Sequence, residues 1–548
     1  MFYKRIIMNK QLIKFLVFNI SFQKKTIIIY LLISLILSVL YLALPLLAKY
    51  FIDNVLMDTD SQMLTAFTLL LLIIIIFLLL FIFLKSYLNI KTISNSNLHL
   101  RKKALNKLTR IRSLNQLKGI NVVQLMNNDI PVCQNIVNNT AINLVLNTIT
   151  LVGVILILSY IEIKILIVML IIFLFYFCFY KILGDKIYSV NRRIISFRDK
   201  ISNSSEQINN NFIAFKYYNE NSHLYKRLLK DFNYTNYLHH KNGFLSSYLS
   251  LLNSLVLYLY FIILFFYGGL SVLKGSITLG DFFTIFIYTG MFLTPARNLS
   301  SLMIQLKTQL ISVNRVKNFF ELEDEAMILN PDNSLRISEG KITLKQAVVS
   351  IDKKTIVSGL EMDFQRGKVN FLLGKNGVGK SSLILSLLKF NDSRNIYIDG
   401  KEFDEIPPKQ IRSIIGVSLQ QPQFTSNFIS QNILNAQKRG SNSQISLHIQ
   451  KEIEESAEKL LRNIRKKNVV SNLSSGEKQL MSIFCALYSN PEVLVLDESL
   501  SNLDHTAKKE MIDLIDKINE DITCIVIDHN HVETQKNISS EYQLNFVE

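Results

Sequence analysis

Residues 61–84 carry no charge and read, past their first few positions, as a nearly unbroken string of Leu, Ile and Phe. Roughly 20 apolar residues in a helix cross a bilayer, and a string this uniform has no polar face to offer water. Five further runs follow the same pattern, at 26–48, 141–161, 165–180, 242–273 and 282–296. A buried core helix would explain any one of them. Six within the first 310 residues are explained by six membrane spans. The third and fourth runs nearly touch and must form a tight hairpin, and the sixth continues past Pro295 into 302–310.

The rest of the composition agrees. Of 548 residues 49% are apolar, yet Lys and Arg exceed Asp and Glu by 60 to 43, a formal charge of +17. Disordered chains combine high charge with low hydrophobicity, so disorder is excluded. Four cysteines without paired spacing, Cys133, Cys178, Cys485 and Cys524, exclude a disulfide scaffold. A nucleic-acid partner is not expected, because the charge has a topological explanation. Residues 1–25 hold six basic and no acidic side chains, 85–118 nine and none, and 181–241 eleven against five. Residues 282–548 are nearly balanced, at 31 basic against 32 acidic. By the positive-inside rule the leader and both long loops face the cytosol, and the short connectors face outward. The first span is too long for a cleavable signal and is expected to stay. Residues 10–22 could lie along the membrane surface, while 98–117 and 194–232 have the spacing of helices projecting below it.

After about residue 325 the texture changes to short β-branched runs alternating with amphipathic stretches, which reads as an α/β domain with buried parallel strands at 368–373, 493–496 and 524–527. The first of these strands runs into Gly374-Lys375-Asn376-Gly377-Val378-Gly379-Lys380-Ser381-Ser382 and then an apolar helix. That strand–loop–helix is a P-loop: glycines let the backbone N–H groups wrap phosphate, Lys380 adds a charge at the β- and γ-phosphates, and Ser381 can ligate Mg²⁺. The strand at 493–496 ends in Asp497-Glu498. Behind a P-loop, Asp497 would hold Mg²⁺ and Glu498 would polarise an attacking water. Leu473-Ser474-Ser475-Gly476-Glu477 offers a helix N-terminus that binds anions, with Ser474 and Glu477 able to close a capping box at the same time.

The order P-loop, LSSGE, apolar-Asp-Glu and a late His resembles the ATP-binding domain of ABC transporters, and LSSGE resembles that family's LSGGQ signature with two substitutions. The resemblance implies ATP and Mg²⁺ as ligands and assigns further roles. Gln420 resembles the Q-loop glutamine, counted with the catalytic and Mg²⁺-binding groups. Ser501-Asn502-Leu503-Asp504 resembles the D-loop, and His529 the switch histidine. Ser474, Ser475 and Gly476 would meet the nucleotide of a partner subunit. The membrane half resembles the six-helix exporters, with Pro45 and Asp53 ending the first span, Gly119 and Asp129 in the first cytosolic loop and Glu206 and Glu220 in the second. Residues 275–281 would precede the sixth span, Tyr288 and Pro295 lie within it, and Asn314-Arg315-Val316 sit at the exit. Ile351 stands where the family places an adenine-stacking aromatic ring, which predicts weak base selectivity. Ser475 replaces a signature Gly, and 466–472 lacks the family's Gly-Glu motif.

The expected architecture is therefore a leader at 1–25, an exporter-type α-helical membrane domain of six helices at 26–320, a linker at 321–340 and an α/β P-loop NTPase domain at 341–548. The expected activity is ATP-driven export by a dimer in the cell membrane, with the N-terminus and ATP-binding domain cytosolic. A homodimer with two competent sites is expected, a heterodimer with a degenerate partner being the alternative. The cargo would be a peptide of bacteriocin type, a lipid or an amphipathic compound. An ATP-gated channel or regulatory subunit, or an importer on the same scaffold, are the competing functions.

Overall fold

The structure is a computed structural model that describes residues 23–56, 61–112, 114–117, 120–218, 223–325, 339–351, 354–375, 377–439, 447–527 and 539–544. The chain divides into two compact units, one of 1–107 with 120–321 and one of 108–119 with 322–548.

The first unit is helical. Its long helices are α1 (Lys24–Tyr50), α2 (Ser61–Leu108), α3 (Ile142–Ile161), α4 (Ile163–Asn210), α5 (His223–Ile263) and α6 (Leu279–Phe320). Among the described residues six helical rods are long and apolar enough to cross a membrane, Lys24–Leu56, Gln62–Leu108, Val122–Ile161, Ile163–Asn210, His223–Leu273 and Leu279–Phe320. Each contains one of the apolar runs and most extend well beyond it in polar sequence, because i to i+4 bonding needs no apolar face once a helix is nucleated. The hairpin between α3 and α4 turns on Glu162 alone, in an extended conformation. Two projections are shorter than expected. The helix of 98–117 stops at Leu108 and resumes only as a single turn at Leu114–Leu117, and that of 194–232 breaks at Asn211. The interfacial helix expected at 10–22 lies outside the described residues.

Burial sorts the helices. α2 exposes Leu69, Phe77 and Phe83, as a lipid-facing helix should. α6 buries Ile285, Tyr288, Phe292, Val313, Val316 and Phe319 and packs on α1, α3 and α4. Its start is fixed by a capping box in which Thr278 accepts from the Asp281 N–H, and Pro295 is absorbed within it. The Tyr288 hydroxyl donates to the Leu42 carbonyl (2.6 Å) and Thr284 to that of Pro45 (3.1 Å), tying α6 to α1.

The second unit holds two sheets. Strands β1 (Ile342–Ile351), β2 (Lys354–Phe364), β4 (Asp392–Ile398) and β5 (Lys401–Glu402) form an antiparallel sheet in the order β2-β1-β4-β5. Strands β3 (Val369–Gly374), β6 (Ile415–Ser418), β7 (Val493–Asp497), β8 (Thr523–Ile527) and β9 (Ser539–Leu544) form a parallel sheet in the order β6-β7-β8-β3-β9. Every residue of β7 and β8 is buried, the consequence of a sheet covered on both faces. One core lies between the sheets, built on Val349, Leu372 and Val495. Another packs α9 (Leu447–Arg465), α10 (Ser475–Tyr488) and α11 (His505–Ile518) against the opposite face. Helices α7 (Lys380–Leu387) and α8 (Ile429–Arg439) and a short helix at Pro408–Ile414 also belong to the unit.

Candidate nucleotide site

In an open parallel sheet, ligands bind at the carboxyl ends of the strands, where the topology reverses. β3, β6 and β7 each deliver expected site residues to that edge, and β8 ends just before His529, which lies outside the described residues.

β3 passes into the P-loop, of which Asn376 alone is outside the described residues. Gly377 and Gly379 have φ of +82° and +107°, a region where a Cβ clashes with the backbone. At Gly379 a Cβ would also lie 2.6 Å from Val357 Cγ2. The turn therefore demands glycine there, and it delivers the chain into α7 with its first N–H groups pointing at the loop. Val378 is buried beneath the loop, whereas Lys375 and Gly377 are exposed. Lys380 is buried, with its ammonium on the Gly374 carbonyl at 2.5 Å. A buried cation met by a neutral carbonyl is held at the price of desolvation, and phosphate oxygens would relieve it. Ser382 lies in the first turn of α7, its carbonyl accepting from Ser386 and Asn391.

The Ser381 hydroxyl donates to the Asp497 carboxylate at 3.1 Å, so the two oxygens expected to share Mg²⁺ are neighbours at the ends of β3 and β7. Among the described residues no cluster of three His, Cys, Asp or Glu side chains could hold a metal by itself. A hydroxyl, one carboxylate and a loop for phosphate fit Mg²⁺, which retains waters and substrate oxygens in its shell.

Glu498 lies next to Asp497 in a left-handed conformation, φ +50°, which costs a non-glycine residue about 1–2 kcal/mol. Its N–H is fixed on the Ile527 carbonyl at 2.9 Å. Such strain is retained where neighbours over-determine the backbone, and here it turns the carboxylate towards Gln420, whose amide Nε2 donates to Glu498 Oε2 at 2.5 Å. Gln420 itself hangs from the end of β6 on a braced support. Gln479 donates to the Leu419 carbonyl (3.0 Å), Ser499 to that of Ser418 (2.9 Å), and Ser418 to Ser482 (3.0 Å). These supporting residues had no role in the sequence reading. The signal was available: Gln479 and Ser482 are polar residues three apart on the apolar face of a helix, beside Met481 and Ile483, and both are buried.

The remaining residues form a second group at the start of α10. Ser474 caps α10, accepting from the Glu477 N–H while the Glu477 carboxylate accepts from the Ser474 N–H at 2.8 Å. Both Glu477 oxygens also sit 2.7 Å from the Lys467 ammonium. That ammonium and the Ser474 N–H hold the Glu477 carboxyl below its ordinary range. Ser475 is the exposed first residue of α10, and a Cβ on Gly476 would meet the Asn502 carbonyl at 2.8 Å. Asp504 caps α11, accepting from Ala507 N–H (2.7 Å) and Thr506 Oγ1 (2.8 Å), bonds that keep its carboxyl ionised to lower pH than usual. The structure thus brings Ser381, Asp497, Gln420 and Glu498 together, and gathers Ser474, Ser475, Gly476 and Asp504 as a separate helix-terminus group.

A P-loop unit of this layout, fused to six spanning helices, defines the class: a multi-pass membrane protein with its own nucleotide-binding domain. Comparison with known proteins narrows it. A family model described as ABC transporter transmembrane region matches residues 27–296, and one described as ABC transporter matches 357–501. The chain belongs to the ABC transporter family, with the membrane and ATP-binding regions in one polypeptide. It is similar to ABC transporter B family member 1 of Dictyostelium discoideum, 26% identical over 74% of this chain and 45% of that protein. It is likewise similar to an ATP-dependent lipid A-core flippase of Syntrophus aciditrophicus, 27% identical over 48% of this chain and 45% of that one. The transport/processing ATP-binding protein ComA of Streptococcus pneumoniae is 26% identical over 48% of this chain and 37% of its own length. The chain thus spans less than half the length of these curated relatives. Among solved structures, a bacterial Atm1-family ABC exporter with ATP bound superposes with a TM-score of 0.78 at 17% identity, covering 93% of this chain and 92% of that one. The exporter fold is shared.

Proposed function

We propose that this protein is an ATP-driven exporter that works as a dimer, each ATP held between the P-loop of one subunit and the Ser474-Ser475-Gly476 segment of the other. The observation that carries this reading is the meeting of Gln420 with Glu498 beside the Ser381–Asp497 pair, in a chain that also has six candidate spans. Phosphoryl transfer needs positioning and charge stabilisation more than covalent chemistry. Lys380 and the loop N–H groups bind and orient the β- and γ-phosphates. Ser381 and Asp497, with Gln420 nearby, would hold Mg²⁺, which when bound would supply charge neutralisation at the phosphates. Glu498 orients the attacking water and takes its proton. Gln420 reports whether the γ-phosphate is in place, because the same amide that restrains Glu498 is the one such a group would engage. His529 is the proposed further γ-phosphate contact. Closing and opening of the dimer would then drive the helices between two access states. The Ser474–Gly476 group supports a partner's participation: its helix N-terminus presents N–H groups and a hydroxyl beside Asn502.

The charge distribution supports a cytosolic leader and ATP-binding unit. The domain bounds proposed for this arrangement are those of the sequence reading, 26–320 and 341–548. The test is reconstitution of the full chain alone in vesicles, with ATPase and uptake measured together. Export predicts ATP hydrolysis and ATP-dependent accumulation of cargo in inverted vesicles, both lost in Glu498→Gln. ATP-dependent conductance without accumulation would replace export by gating, and activity that appears only with a second protein would replace the homodimer.

A further inference from the structure

Lysines gather at one end of the helical unit with no carboxylate to answer them. α1 begins with Lys24 and Lys25, both exposed, and α2 carries Lys85 and Lys91 just beyond its apolar run. Packing sets these positions at similar height, because Ile27 and Leu31 of α1 and Leu88 of α2 all close on the cluster of Tyr30, Ile142 and Leu146. A helix rises about 1.5 Å per residue, so Lys85 and Lys91 lie about 4.5 Å either side of Leu88 along the axis, and Lys24 about 4.5 Å from Ile27. In residues 1–161 the only acidic side chains are Asp53, Asp58, Asp60 and Asp129. Asp53 stands beyond the far end of α1, accepting from the Gly280 N–H (2.9 Å) and the Thr278 hydroxyl (2.7 Å), and Asp58 and Asp60 share its connector. Asp129 pairs with Arg315. It lies ten residues, roughly 15 Å, along its helical rod from Asn139, which accepts from Asn89 of α2.

Topology alone accounts for an excess of positive charge, but not for where Lys85 sits. At i, i+3 and i+7, Lys85, Leu88 and Thr92 share one face of α2, the face on which Leu88 packs and Thr92 is buried. Lys85 is half-buried there, and no ion pair or hydrogen bond holds it among the described residues. A cation withdrawn from water without a partner is costly, and its long stem lets the ammonium reach towards the headgroup layer. α1 adds to the demand for an anion. Its N-terminus carries the positive end of the helix dipole, and Lys24 and Lys25 stand on it with no acidic residue in the first turn. Tyr87, 54% exposed, holds its ring 5.8 Å from the Lys91 ammonium, an amphipathic pairing suited to the membrane–water boundary.

We propose that the adjoining ends of α1 and α2 bind the headgroup of an anionic glycerophospholipid. Lys85, Lys91 and the start of α1 take its phosphate, and its chains lie along the exposed apolar surface of Leu80 and Phe83. The chain has no tryptophan, so Tyr87→Trp supplies a single fluorescent reporter. Full-length Tyr87→Trp protein is placed in phosphatidylcholine nanodiscs at physiological ionic strength. Quenching by dibrominated phosphatidylglycerol is then compared with quenching by dibrominated phosphatidylcholine. Phosphatidylglycerol is expected to be preferred about tenfold, and Lys85→Gln to cut that preference about fivefold, with recovery in Lys85→Arg. Lys102→Gln, at an exposed position roughly 25 Å further along α2, should leave the preference unchanged. Lys91→Gln serves as the second variant if Lys85→Gln does not fold. No preference for phosphatidylglycerol, an unchanged preference in a folded variant, or an equal loss in Lys102→Gln overturns the proposal. So does reversal of the quenching by excess glycerol 3-phosphate, which would assign these cations to a free phosphate ester. No nucleotide takes part, so the outcome stands apart from the transport reading.

Discussion

The Gln420 side-chain amide donates to the Glu498 carboxylate at 2.5 Å, across the ends of two neighbouring parallel strands. Neither residue could be placed against the other by sequence spacing, since 78 residues separate them. Their pairing orients the carboxylate expected to handle the attacking water, and Gln479 and Ser499 hold the strand end from which Gln420 projects.

Glu498→Gln removes the proposed proton acceptor while keeping its shape. Phosphate release should fall by about 10²–10⁴ with nucleotide binding retained, read by equilibrium titration beside a steady-state assay. Gln420→Ala frees the carboxylate without removing it, and should cost less in hydrolysis than Glu498→Gln. A Glu498→Gln protein that hydrolyses ATP at the parental rate would remove Glu498 from the mechanism.

Gly379→Ala tests the loop. Its φ of +107° and the 2.6 Å approach of Val357 to a Cβ leave no relaxed position for alanine. The loop must shift or store about 1–3 kcal/mol of strain. The expected outcome in calorimetry is a lowered Tm that ATP no longer raises. An unchanged melt with an intact ATP response would contradict the loop geometry.

Ile351 ends β1 opposite Lys354. If it occupies the base-stacking position, ATP and GTP should bind this protein with similar affinity. Ile351→Tyr should tighten ATP by about 1 kcal/mol, roughly fivefold. Competition binding of the two nucleotides decides it, and unchanged affinity would place the base elsewhere.

The capping box at Ser474 carries a pH signature. The Lys467 ammonium and the Ser474 N–H lower the Glu477 carboxyl from its ordinary 4.5, so the unfolded chain takes up that proton first as pH falls. The stabilisation is complete above 4.5 and is lost as pH falls through the lower, folded value. Urea titrations should show the parent losing stability more steeply than Glu477→Gln across that window. Ser474→Ala should cost about 1 kcal/mol at neutral pH. Parallel pH profiles of parent and Glu477→Gln would count against the box.

Much of this was legible in the sequence because it is local. A charge-free run such as 61–84 has one way to be stable in or beside a bilayer, and the six runs correspond to six candidate spans. The P-loop turn is written in glycines whose backbone angles no other residue adopts cheaply, and Val493–Asp497 announces a doubly covered strand by having no polar face. Helix ends were less legible. The helix expected over 98–117 stops at Leu108 and that over 194–232 breaks at Asn211, because packing decides how far a helix continues once its apolar stripe is buried.

What the sequence determined alone is the set of elements and the chemical groups they carry, since propensity, hydropathy period and turn chemistry act over a few residues. Tertiary structure decided which groups meet. The order of strands in the parallel sheet puts Ser381 on Asp497 and Gln420 on Glu498. The packing of α1 and α2 on Tyr30, Ile142 and Leu146 brings Lys85 to the end of the unit where Lys24 and Lys25 stand. Both depend on contacts between residues far apart in the chain, which hydrophobic burial of whole strands and helices selects and no local pattern encodes.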